Sequence, residues 1–162
     1  MQLPSCCKRE FQEYYTVKED QREQRVLRAQ DENDTKSIAF DIAGRLKAGD
    51  VIALTGDLGT GKTTFTKYLA QGLGIDHNIN SPTFNIVKEH YGGRLPLYHF
   101  DVYRLGSGEE LIDAGAEDYF YGDGVSVVEW ADLVMDYLPE DAIVIHISYG
   151  EKEGERVYRC IF

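Results

Sequence analysis

Gly56-Asp57-Leu58-Gly59-Thr60-Gly61-Lys62-Thr63 fits G-x-x-x-x-G-K-[ST] at every fixed position, the pattern of a phosphate-binding P-loop. The residue types follow from the task. Glycines let the backbone bend into a cup whose amide N–H groups point at phosphate oxygens. Lys62 reaches the β- and γ-phosphates, and the Thr63 hydroxyl is placed to ligate Mg²⁺. A helix starting here adds its positive N-terminal end. The flanks agree. Val51-Ile52-Ala53-Leu54-Thr55 is a short apolar run of buried-strand type. Phe65, Leu69 and Leu73 recur at helical spacing, and Gly72 and Gly74 are expected to end that helix.

The rest of the chain sets bounds. At 162 residues one domain with a sizeable core is expected, and a hydrophobic share of 43% is that of a globular protein. No apolar run approaches the roughly 20 residues that cross a bilayer, and Met1 to Lys8 lack the apolar core of a signal peptide. The expectation is a cytoplasmic protein without a membrane partner. The three cysteines, Cys6, Cys7 and Cys160, have no zinc-site spacing and read as reduced thiols, Cys160 as core filler. A net charge of −11 argues against autonomous binding to a nucleic-acid backbone. Work on RNA inside a complex with basic subunits stays open.

Residues 1–23 are dominated by charge and read as an appendage, disordered or a loosely docked helix. Residues 24–162 read as the P-loop domain. Val26-Leu27 opens it as a first short strand, and Asp34 is the expected N-cap of a helix carrying Ile38, Ile42 and Leu46 on one face. Residues 84–91 and 95–101 read as two strands around Gly92-Gly93. Ser107-Gly108-Glu109-Glu110 has capping-box spacing. Val125 to Glu129 reads as a buried strand. The alternations Ile143, Ile145, Ile147 and Val157, Arg159, Ile161 read as an antiparallel pair. This order predicts an α/β, P-loop NTPase-like three-layer sandwich with a mixed, mainly parallel sheet.

A P-loop binds phosphate but needs further groups to transfer it. Ligands of open α/β sheets sit beyond the C-terminal ends of the strands, and two acids occupy such ends. Asp101 closes Leu97-Tyr98-His99-Phe100, and Glu129 closes Val125-Ser126-Val127-Val128. Asp101 is assigned as a metal partner, direct or through water. Glu129 is assigned as a second metal contact or the base that orients water, and the two roles are interchangeable at this stage. Thr83, stiffened by Pro82, is a candidate sensor of the γ-phosphate or Mg²⁺. Arg104 either neutralises phosphate charge, contacts a partner or forms a surface salt bridge. His99 shares a strand face with Asp101 and either lines the site or is a structural histidine. Trp130 is a core or lid anchor, or an interface hot spot.

In order, the P-loop with Thr64, Ser81-Pro82-Thr83-Phe84, His99-Phe100-Asp101-Val102-Tyr103-Arg104-Leu105 and Val128-Glu129-Trp130 resemble the TsaE (YjeE) family of small bacterial P-loop ATPases from about residue 24 onward. The resemblance implies a Mg²⁺-dependent ATPase acting with the TsaD–TsaB heterodimer in making N6-threonylcarbamoyladenosine at position 37 of tRNAs that read codons starting with A. It implies contact with tRNA only through the complex. Carried over by motif, Gly59, Thr60, Gly61, Lys62, Thr63, Thr64 and Thr83 are nucleotide-binding. Thr63, Asp101 and Glu129 are metal-site residues, and Lys62, Asp101 and Glu129 are catalytic. The competing reading is a small-molecule P-loop kinase, but no arginine cluster after the P-loop supplies a lid. A GTPase lacks support, with no N-K-x-D motif and no D-x-x-G after a strand.

Overall fold

The computed structural model describes residues 22–82 and 84–162, so Thr83 and most of the appendage lie outside the described residues. Seven strands form one sheet: β1 (Gln24–Ala29), β2 (Val51–Thr55), β3 (Val87–His90), β4 (Leu97–Asp101), β5 (Val125–Glu129), β6 (Ile143–Tyr149) and β7 (Arg156–Ile161). Their order across the sheet is β1-β7-β6-β2-β5-β4-β3. The central pairings β4–β5, β5–β2 and β2–β6 are parallel. The flanking ones, β3–β4, β6–β7 and β7–β1, are antiparallel. All strands but β3 and β7 therefore run the same way, as the mixed, mainly parallel sheet requires.

β2 and β5 are buried along their whole length. Their near-continuous apolar runs are what a parallel strand covered on both faces needs. One face carries α1 (Glu32–Arg45) and α2 (Lys62–Gly72). Ile42, Ala43, Phe65 and Leu69 join Ile52, Leu54, Val125 and Val127 in one core. The other face carries the short helices α3 (Glu109–Asp113) and α4 (Ala116–Phe120) and two 3-10 turns, Ala131–Leu133 and Met135–Tyr137. There Leu111, Phe120 and Val134 pack on Ala53, Phe100 and Val128. That is the three-layer arrangement. Gly72 lets α1 and α2 approach, because a Cβ there would stand 2.7 Å from the Ala43 methyl. Cys160 is buried in the first core, and burial pushes its thiol up to about 11. It packs as filler.

Three local expectations are corrected. The N-cap of α1 is Asp31, whose side chain accepts from the Asp34 amide at 3.0 Å. Asp34 lies inside the first turn and accepts from Gln30 N at 2.9 Å. Aspartate suits both places, so composition does not separate them. Helix α3 starts where expected, but Gly108 is its N-cap and makes no side-chain cap. Glu110 instead reaches back to the Gly106 amide at 3.0 Å. The strand expected from residue 84 begins only at Val87, and Phe84 is 96% exposed. An edge strand has one partner, so its ladder stops where that partner turns away.

His90, at the end of β3, is buried, and its ring nitrogen Nδ1 lies 2.9 Å from Nε2 of His77. Burial, then His99, His77 and Lys88, lower its pKa from 6.5 to about 4. Burial also lowers that of His146. A histidine held neutral in the fold takes up its proton more readily in the unfolded chain. Its stabilising effect is complete above pH 6.5 and lost as pH falls towards 4. The full shift is worth at most about 3 kcal/mol, and partial hydration reduces it to about 1–2 kcal/mol. Denaturation midpoints should therefore fall between about pH 6.5 and 4, and fall less in His90→Asn. Parallel falls in both proteins would contradict this account.

Candidate active site

Strand β2 ends at Thr55, and the chain turns through Gly56 (φ 143°), Gly59 (φ 81°) and Gly61 (φ 100°) before α2 begins at Lys62. These are backbone conformations that side chains resist. At Gly56 a Cβ would also stand 2.4 Å from the Ile147 carbonyl oxygen. The loop is braced from the far hairpin. Tyr149 OH donates to Leu58 O at 3.0 Å, and Arg156 Nε donates to Thr60 O at 2.9 Å. The Arg156 guanidinium lies over the Tyr149 ring. The resulting cleft has a volume of about 580 Å³ and is lined by the loop residues Gly59, Gly61, Lys62, Thr63 and Thr64. Asp101, Arg104, Glu129 and Trp130 also line it. Thr60 is placed differently. It is buried, and its hydroxyl donates to Asp57 O at 2.8 Å. It shapes the loop rather than facing the cleft.

The Lys62 ammonium donates to Gly56 O at 2.7 Å and to Asp57 O at 3.0 Å. It also sits 3.8 Å from the Trp130 ring centroid, a cation–π contact. Burial lowers its pKa, against the pull of Glu129, Asp132, Asp101 and Asp57 in the other direction. A partly desolvated cation surrounded by carbonyls and acids is poised for an anionic ligand. The N-terminus of α2 points the same way.

Asp101 and Glu129 end adjacent parallel strands and are register partners. Thr63 Oγ1 donates to Glu129 Oε2 at 3.0 Å. His99 Nε2 contacts Glu129 Oε1 at 2.7 Å. Ser81 Oγ donates to Asp101 Oδ2 at 2.6 Å, and the Tyr103 amide to Oδ1 at 3.1 Å. The structure therefore gathers Lys62, Thr63, Thr64, Asp101 and Glu129 around one cleft. His99 lies behind Glu129 rather than in the lining.

Trp130, immediately after Glu129, has φ 61°, the one positive value at a non-glycine residue among those described. Such backbone costs about 1–3 kcal/mol and clusters at functional sites. Here it turns the indole over Lys62 and against Tyr103, ring centroids 4.6 Å apart. Sequence reasoning missed Asp132. Its Oδ1 is buried without a hydrogen-bond partner among the described residues, and burial raises its pKa. Its position three residues after Glu129 was the available signal. Tyr149 and Arg156 had none, since they reach the loop only through the β2–β6 pairing.

The residues that could hold a metal ion are hard oxygen donors: the Thr63 hydroxyl and the two carboxylates. That donor set suits Mg²⁺ beside phosphate oxygens. The fit rests on Glu129 Oε2 meeting the Thr63 hydroxyl at the mouth of the loop.

Residues 29–158 match the model of the family described as threonylcarbamoyl adenosine biosynthesis protein TsaE. The chain belongs to the TsaE family. It is 50% identical over 129 residues to the TsaE protein of Bacillus subtilis, covering 79% of this chain and 80% of the relative. It is 40% identical over 130 residues to that of Nostoc, covering 78% of each. A crystal structure of Bacillus subtilis YdiB superposes with a TM-score of 0.71 at 42% identity, covering 86% of both chains. The fold is thus that of a P-loop NTPase-like member of the TsaE family. Among the described residues, no helix is long and apolar enough to cross a membrane.

Proposed function

We propose that this protein is the ATP-binding and ATP-hydrolysing subunit of the machinery that makes N6-threonylcarbamoyladenosine at position 37 of tRNA, acting with the TsaD–TsaB pair. TsaE membership supports the pathway, since the relatives are named as threonylcarbamoyladenosine biosynthesis proteins. The observation that carries the hydrolytic reading is the convergence of Asp101 and Glu129 on the P-loop, with Glu129 bonded to Thr63.

The chain's own groups divide the work. Backbone amides of the Gly59 to Thr64 segment and the N-terminus of α2 cradle phosphate oxygens. Lys62 leaves its carbonyl partners for the β- and γ-phosphates and supplies a point charge there. Thr63 and Asp101 would hold Mg²⁺, which when bound would neutralise charge on the phosphate oxygens. Glu129 orients the attacking water and accepts its proton as the water oxygen bonds to the γ-phosphorus and the bond to ADP breaks. Asp101 and Glu129 both face the cleft, so the metal contact and the base are exchangeable between them until kinetics separate them. By the family motif, Thr83 serves as the sensor of the γ-phosphate or Mg²⁺. With 28 acidic against 17 basic residues, tRNA contact falls to the partners.

Among the described residues one arginine, Arg104, lines the cleft, so charge neutralisation at the γ-phosphate is incomplete without a partner. Phosphate release should be slow for this protein alone and faster with purified TsaD–TsaB, or the nucleotide should be held more tightly. Absence of any nucleotide-dependent complex would overturn the assignment. Transfer of labelled γ-phosphate to a metabolite rather than to water would favour a kinase instead.

A further inference from the structure

Glu129 is 2% exposed and His99 is fully buried. The two oxygens of the Glu129 carboxylate have different neighbours. Oε2 faces the cleft and accepts from Thr63 at 3.0 Å. Oε1 lies 2.7 Å from His99 Nε2, deep under the loop. Thr66 Oγ1 also approaches Oε1, at 3.5 Å, but its single hydrogen already goes to Lys62 O at 2.9 Å. Among the described residues His99 is thus the one strong partner of Oε1. A carboxylate oxygen accepts, so Nε2 donates and the tautomer is set. The other ring nitrogen, Nδ1, has no hydrogen-bond partner among the described residues. A residue kept only for volume here would be apolar, like its neighbours Leu97 and Val127. The ring is backed by His90, centroids 6.5 Å apart, and His90 by His77.

We propose that His99 is a positioning residue for Glu129, anchoring Oε1 so that Oε2 alone is presented to the reacting centre. This rests on the reading of Glu129 as a hydrolytic residue. When the Thr63 hydroxyl turns to a bound cation, Oε2 loses its protein partner and Oε1 keeps His99. The carboxylate then stays oriented at the moment it is needed.

The test is single-turnover phosphate release by the full chain with TsaD–TsaB, beside ATP affinity and melting curves. His99→Ala should slow release about 10–100-fold while moving ATP affinity little. His99→Gln, whose amide N–H falls where Nε2–H stands, should recover most of the rate. His99→Asn, whose amide falls at Nδ1, should not. The double variant H99A/E129Q should be no slower than E129Q. Independent, multiplying losses, equal recovery by Asn and Gln, or a parental rate in His99→Ala would each overturn the proposal. A slow E129Q beside a fast H99A sinks the positioning role alone. A parental rate in E129Q sinks the reading of Glu129 and this proposal with it. If His99→Ala does not fold, the Gln and Asn pair decides the matter by the same contrast.

Discussion

Lys62→Ala should abolish productive ATP binding while leaving the fold intact. The ammonium is positioned at the loop by Gly56 O and Asp57 O, at 2.7 and 3.0 Å. Charge-assisted hydrogen bonds are worth about 1.5–3 kcal/mol each. Losing contacts to both the β- and γ-phosphates therefore weakens binding by about two orders of magnitude or more. Among the described residues no other lysine lines the cleft, and Arg104 is its one arginine. The effect on stability is smaller. Burial lowers the Lys62 pKa, so the charged side chain is a cost to the ligand-free fold near neutral pH. Removing it relieves that cost but gives up the carbonyl and Trp130 contacts, so the melting temperature should move far less than the affinity. Titration with a fluorescent ATP analogue, beside a melting curve, checks both. Parental affinity in a folded Lys62→Ala would remove the central role of the lysine.

Glu129→Ala should spare ATP binding and lose turnover. A positioned general base contributes about 10²–10⁴-fold, and that is the expected fall in the rate of phosphate release. Some stability goes too. His99 Nε2 and the Thr63 hydroxyl both contact this carboxylate, and a buried donor left unpaired costs about 1–3 kcal/mol. Glu129→Gln keeps an oxygen and the shape, so it should fold like the parent and still turn over slowly. Equal losses of affinity and rate would identify Glu129 as a direct metal ligand and transfer the water-orienting role to Asp101.

The fold was legible because its signals are local. The run from Val51 to Leu54 is apolar at every position, as a strand covered on both faces requires, and the whole strand through Thr55 is buried. The glycines mark the loop, and Phe65, Leu69 and Leu73 mark the buried face of the helix after it. Strand ends were legible enough to single out Asp101 and Glu129. Caps were less so. Asp31 and Asp34 have the same chemistry one turn apart, and the choice depends on where the backbone enters the helix. The early end of β3 was hidden because pairing ends with the partner strand, not with the residues of β3 itself.

Contacts across the sheet had no sequence signal. His99 and Glu129 are thirty residues apart, and β4 and β5 become neighbours only in the folded sheet. The bracing of the loop by Tyr149 and Arg156 depends on β6 lying beside β2. The left-handed turn at Trp130, which brings the indole over Lys62, is a backbone state its residue type disfavours.

The amino-acid order by itself determined the phosphate loop, the elements around it and the two acids at strand ends. Periodicity, glycine and strand-end polarity act within a few residues of one another. Only the tertiary structure decided which oxygen of Glu129 faces the cleft, what anchors the other, and which distant hairpin braces the loop. Those depend on strand order and register, and a sheet acquires them only when all its members pair.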